Sequence, residues 1–170
     1  MGHLEDMEQI EFLGLEFATW LMVETAQGRG PDNWGECQNA TIEIEGIVHL
    51  EGPGRGASQV VLRGDSVTES PELRSALAEG KGVRKVKVRV TLGEEDWTGT
   101  LDAKTLEWRS VKVTVPTIPD VNEVVFMRIQ AFERLTRLLE EWFSAFLRLR
   151  MSERKWEGAL EKIRAFAGGR

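Results

Sequence analysis

The chain has almost no cysteine or histidine. Its single thiol, Cys37, excludes an internal disulfide, and its two histidines, His3 and His49, lie far apart with no second thiol to complete a zinc ligand set. No metal site or cofactor is expected. No apolar run approaches the roughly eighteen residues that a membrane span requires. Met1 is followed by acidic residues rather than by a basic region and an apolar core. The expected location is therefore cytoplasmic, with no membrane partner. Asn39-Ala40-Thr41 fits the glycosylation pattern, which has no meaning without secretion. Neither histidine stands in a recognisable nucleophile context, so hydrolytic triads are not indicated. At 170 residues the chain fits one domain spanning 1–170, and a domain of that size buries about 70% of its unfolded surface.

Basic residues are absent from the first 28 positions, which hold six carboxylates (Glu5, Asp6, Glu8, Glu11, Glu16, Glu24). With a formal net charge of −6, the other 142 residues sum to zero. Within them, 81–112 carries eight cations against five anions, and 126–170 carries ten against six. A positive surface is compatible with this acidic chain, because placement sets the local field.

Periodicity predicts an α+β fold. A first helix from about Glu8 to Ala26 carries Ile10, Leu13, Phe17, Trp20 and Leu21 at helical spacing, and Phe12, Leu15 and Met22 widen its apolar surface to two sides. Residues 28–38 form a loop, with Trp34 as a plug over the core edge or, alternatively, a stacking platform. Residues 39–51 alternate Ile42, Ile44, Val48 and Leu50 with Thr41, Glu43, Glu45 and His49, and 57–64 return across Gly52-Pro53-Gly54-Arg55-Gly56 as a hairpin. That turn lacks the Gly-Lys-Ser/Thr of a phosphate-binding loop. A short middle helix starts at Ser66 or at Ser70-Pro71 and ends at Gly80 or Gly82. A three-stranded meander follows to Val115, with a β-bulge predicted near Arg109 and Ser110, where alternation slips. A long helix over 121–150 and a last helix capped by Ser152 form a C-terminal helical hairpin. Together the strands make an antiparallel sheet of about five, packed against these helices.

The strand after Gly82 places Val86, Val88, Val90 and Leu92 on one face and Lys85, Lys87, Arg89 and Thr91 on the other. Two readings follow. In the first, the cations form a solvated face that pairs across strands with Glu43 and Glu45. In the second, Arg84, Lys85, Lys87, Arg89 and Lys112, with Lys104 or Arg109 beside them, form a platform for a polyanion backbone. No sequence-reading helix, aromatic RNA-binding signature or basic tail accompanies them.

Residues 11–21 (EFLGLEFATWL), 76–90 (ALAEGKGVRKVKVRV) and 97–113 (WTGTLDAKTLEWRSVKV), followed by a proline-containing bridge and a long helix, resemble the C-terminal half of the recombination-associated protein RdgC family. The likeness covers about 8–150. Members of that family are longer, and the resemblance implies a nucleoid-associated protein that binds duplex DNA without sequence preference, forms ring-shaped dimers and restrains a recombinase. Carried onto this chain, it implies backbone contacts from the basic strand, at Arg84, Lys85, Lys87, Arg89 and Lys112.

Two further classes stand beside DNA binding. Asp65 with Glu79-Gly80-Lys81 has the composition of a metal-dependent nuclease site, but Glu79 and Lys81 fall at a helix end where nothing is expected to fix them. Glu94, Glu95 and Asp96 are denser, and read as a solvated turn. No enzymatic activity is therefore expected. The other class is an interaction module. Phe126, Phe132, Trp142, Phe143 and Phe146 supply more apolar surface than one helix needs against one sheet, which predicts a homodimer through 121–150.

Overall fold

The computed structural model describes residues 2–28, 40–53 and 57–168, with side chains from residue 11 onward. Trp34 and Cys37 lie outside these residues. The elements run α1 (Gly2–Ala26), β1 (Thr41–Glu51), β2 (Gln59–Arg63), α2 (Pro71–Ala78), β3 (Gly82–Leu92), β4 (Glu95–Asp102), β5 (Glu107–Thr114), α3 (Val121–Arg150) and α4 (Glu153–Ala167). The five strands form one antiparallel sheet in the order β2-β1-β3-β4-β5, so the fold is α+β: a hairpin and a meander joined side by side. No helix among the described residues is long and apolar enough to cross a membrane.

Local chemistry selects the boundaries. Of the two predicted starts for α2, Ser70-Pro71 is used: Ser70 Oγ accepts a hydrogen bond from the Leu73 N–H at 3.1 Å, and proline occupies the first turn. Val67–Glu69 form a separate 3-10 turn. At the other end Gly80 takes φ 92°, the Gly80 N–H donates to the Leu77 carbonyl, and the Lys81 N–H donates to the Ala76 carbonyl. This crossed pair is the glycine-dependent Schellman stop. Gly93 (φ 60°) and Glu94 make the two-residue turn between β3 and β4. The Asp120 carboxylate caps α3 by accepting from the Asn122 and Glu123 N–H groups.

One sheet face is the core, and α1 crosses it over β3. Its close approach needs Gly14, where a Cβ would stand 1.8 Å from the Ala103 carbonyl oxygen. The Thr19 hydroxyl stitches the same contact, accepting from the Val83 N–H at 2.9 Å and donating to the Leu15 carbonyl at 2.7 Å. Above α1, Phe17 packs on Phe143 and Phe146, and Phe146 meets Trp156 edge-on, which locks α1, α3 and α4 into one apolar layer. Trp108 donates its indole N–H to the Leu135 carbonyl at 3.3 Å and so ties α3 to β5.

Bulges tune which side chains reach the other face. Thr98 pairs with Lys112 and Thr100 with Arg109, so Ser110 and Val111 together oppose Gly99; Ser110 lies at φ 53°. The bulge predicted from the slip in alternation is present. A second irregularity sits in β1, where Ile44 pairs with Val88 and Val48 with Val86, leaving Glu45, Gly46 and Ile47 opposite Lys87 alone. A third makes Arg84 the extra residue between the Leu50–Val83 and His49–Lys85 pairs.

Candidate functional site

The open sheet face carries the predicted basic strand. Register places Glu43 opposite Arg89 and His49 opposite Lys85 on one side, and Thr100, Thr98 and Asp102 opposite Lys87, Arg89 and Lys85 on the other. Because a bulge lets two successive side chains share one face, Arg84 joins Lys85 there.

Carboxylates hold most of these cations. Glu45, on the β1 bulge, lies 3.2 Å from Lys87 Nζ and 3.3 Å from Arg89 Nη1. Arg89 also forks Asp96, with Nε 3.1 Å from Oδ1 and Nη2 3.0 Å from Oδ2. The hydrogen bond and charge of Asp96, with Glu45 and Glu43 nearby, push the Arg89 guanidinium above its usual range. Arg84 reaches Glu51 and Asp102, each at 3.2 Å, while Lys104 Nζ bridges Glu51 at 3.2 Å and Glu11 at 3.6 Å. Asp102 is 1% exposed and also receives Arg109 at 3.2 Å and the Lys104 N–H at 3.1 Å.

Of the five residues expected to contact a DNA backbone, Arg84, Lys87 and Arg89 are thus engaged by carboxylates. Lys85 and Lys112 make no ion pair with any described residue, and they sit on β3 and β5 with β4 between them. Of the cross-strand pairings expected with Glu43 and Glu45, that of Glu45 is present, whereas Glu43 stands opposite Arg89 and makes no ion pair with a described residue. Strand alternation showed Glu45; it could not show Asp96, Glu51 or Asp102, because those contacts depend on register across three strands. His49 lies in the shallow hollow on this face beside Lys85 and Arg84. Burial, then the charges of Lys85, Arg63 and Arg84, lower its pKa below the usual histidine value.

The acidic groups considered for nuclease chemistry are placed differently from expectation. Lys81 is fixed after all: its side chain is 1% exposed, with Nζ 2.8 Å from Glu79 Oε2. The ammonium is buried with the rest of the side chain and is held by the partly exposed Glu79 carboxylate. The cluster at 94–96 is only partly a solvated turn, since Glu95 pairs with Arg134 of α3 and Asp96 with Arg89, leaving Glu94 exposed. Among the described residues no group of three His, Cys, Asp or Glu side chains is placed to hold a metal ion.

A second surface lies on α3. Its C-terminal half is covered, with Leu135, Leu138, Trp142 and Phe146 buried. Its N-terminal half is anchored by Ala131 and by the Arg134–Glu95 ion pair, yet Val121, Val125, Phe126, Ile129 and Phe132 remain between 48% and 73% exposed. Val125, Ile129 and Phe132, with Thr136, line a broad shallow face flanked by Arg128, Glu133, Arg137 and Glu140. No family profile, curated protein or solved structure matches the chain.

Proposed function

We propose that the protein is a non-enzymatic interaction module that self-associates through the outer face of α3. The observation that carries this reading is the continuity of one apolar stripe. Leu139, Phe143 and Phe146 continue the line begun by Val125, Ile129 and Phe132; the first three lie against the core and the last three face solvent. A monomer gains nothing from exposing that many large side chains on one helix face. The same patch on a second copy covers it by an isologous contact. Phe132→Glu tests this, because a charge buried in such a contact raises Kd by roughly a hundredfold or more. Sedimentation should show the variant as monomer where the wild type is dimer, with its circular dichroism spectrum unchanged and its Tm no longer dependent on concentration. Equal sedimentation of the two proteins would overturn the reading.

A second reading is weak, sequence-independent binding of duplex DNA, of the kind implied by the resemblance to the RdgC family. It is supported by Lys85 and Lys112, which have no carboxylate partner among the described residues. Two phosphate contacts give a salt slope of about −2 per chain. Fluorescence anisotropy at low salt with two unrelated duplexes compares the wild type with Lys85→Glu/Lys112→Glu. Loss of binding to both duplexes in the variant is expected. No binding by the wild type at low salt would remove this reading.

A further inference from the structure

Self-association leaves open how two α3 helices are oriented, and the residues flanking the stripe decide it. Val125, Ile129, Phe132 and Thr136 recur at alternating spacings of four, three and four, which is the heptad seam of a coiled coil with Ile129 and Thr136 at a and Val125 and Phe132 at d. Asn122 then falls at the preceding a position, Val121 and Arg128 at g, and Phe126 and Glu133 at e. Of the buried residues on this stretch, Ala131 and Leu138 fall at c and Leu135 at g, so the core borders the seam on its g side and leaves the a and d positions open as far as Thr136.

Resting on the self-association reading, we infer that a second copy of this chain covers the face as a short parallel, in-register helix pair over Val121–Thr136, with the N-terminal ends of both α3 helices together.

The flanking chemistry fits that orientation. In a parallel pair each g residue faces the e residue five positions later on the other helix. Arg128 then faces the partner's Glu133, and Val121 faces the partner's Phe126, each contact made twice by symmetry. Among the described residues Arg128 makes no ion pair, and Glu133 holds only a long same-helix contact of 3.8 Å to Arg137. All five exposed large apolar residues of α3 fall at a, d, e or g. Antiparallel pairing sets g against g and e against e, which brings Arg128 towards Arg128 or Leu135 and Glu133 towards Glu133 or Phe126. That arrangement satisfies neither charge. Asn122 and Ile129 at a positions both favour two parallel strands, asparagine because its amide pairs with its own copy across the axis. The seam stops where Leu139 enters the monomer core. It spans little more than two heptads, but α3 is already folded against the sheet, so little helix-forming entropy remains to be lost.

Two measurements in a Cys37→Ser background separate orientation from association. The first is oxidation of Val125→Cys, with Gln130→Cys, exposed and off the seam, as control. Parallel pairing puts the two Val125→Cys thiols side by side and yields a disulfide-linked dimer, whereas an antiparallel pair centred between Ile129 and Phe132 separates them by about 16 Å. The second is charge exchange: Arg128→Glu and Glu133→Arg each weaken dimerisation roughly tenfold, and the double exchange restores it. A dimer by mass that neither cross-links at Val125→Cys nor recovers in the double exchange overturns the parallel seam and leaves self-association standing. A monomer at all concentrations overturns both.

Discussion

Gly14→Ala sets two opposed effects against each other, and the packing decides the sign. In an exposed helix interior, glycine to alanine stabilises by about 1 kcal/mol. At Gly14 the new methyl would fall 1.8 Å from the Ala103 carbonyl oxygen, a backbone atom at the end of β4, so α1 must move by more than 1 Å. That movement loosens Thr19 from Val83 on the sheet side and shifts Phe17 and Trp20 against Phe146 on the other side of the helix. Overpacking of this kind costs about 1–3 kcal/mol, and the loosened hydroxyl bridge adds about 1 kcal/mol, so a net loss of about 1–3 kcal/mol remains after the propensity gain. At about 2–4 °C per kcal/mol for a chain of this size, Tm should fall by roughly 2–12 °C. Gly158→Ala is the control, because nothing lies within 4 Å of its would-be methyl in α4. It should raise stability by about 0.5–1 kcal/mol. Urea denaturation of the two variants beside the wild type gives the answer. A Gly14→Ala protein as stable as Gly158→Ala would refute the account of how α1 docks.

Asp102→Ala removes a buried carboxylate that holds Arg84, Arg109 and the Lys104 N–H. Both guanidinium groups can regain water, so about 2 kcal/mol of destabilisation is expected in chemical denaturation, and no change would deny Asp102 a structural role. The lowered pKa of His49 makes the folded state bind its proton less readily than the unfolded state does. Its contribution is therefore fully present above the unfolded value of about 6.5 and is lost as pH falls from there through the folded value. Comparing stability against pH for wild type and His49→Gln should show the smaller loss in the variant below that pH; identical profiles would contradict the placement of His49 among Lys85, Arg63 and Arg84.

Alternation and turn chemistry made the strands legible. Ile42, Ile44, Val48 and Leu50 remain on the core face even across the bulge at 45–47, because that bulge adds two residues and leaves parity intact. For the same reason it could not be seen in the sequence, whereas the slip at Arg109 and Ser110, which does break parity, was visible. The Arg84 irregularity leaves no mark on the alternation from Lys85 to Leu92, because the extra residue lies just before it. The burial of Lys81 has no sequence signal, because a glycine-rich helix stop does not show that the lysine within it is packed inward with Glu79 as its partner. On α3 the apolar excess was plain, but the division between covered and uncovered halves is set by where α1 and α4 land.

Self-association through α3 is tested most directly by the mass of the wild-type protein in solution. Size-exclusion chromatography with light scattering should be run from low micromolar to several hundred micromolar. The account predicts a mass that rises with concentration from the monomer value of 19.2 kDa towards twice that value. A mass that stays at the monomer value across the whole range would contradict it.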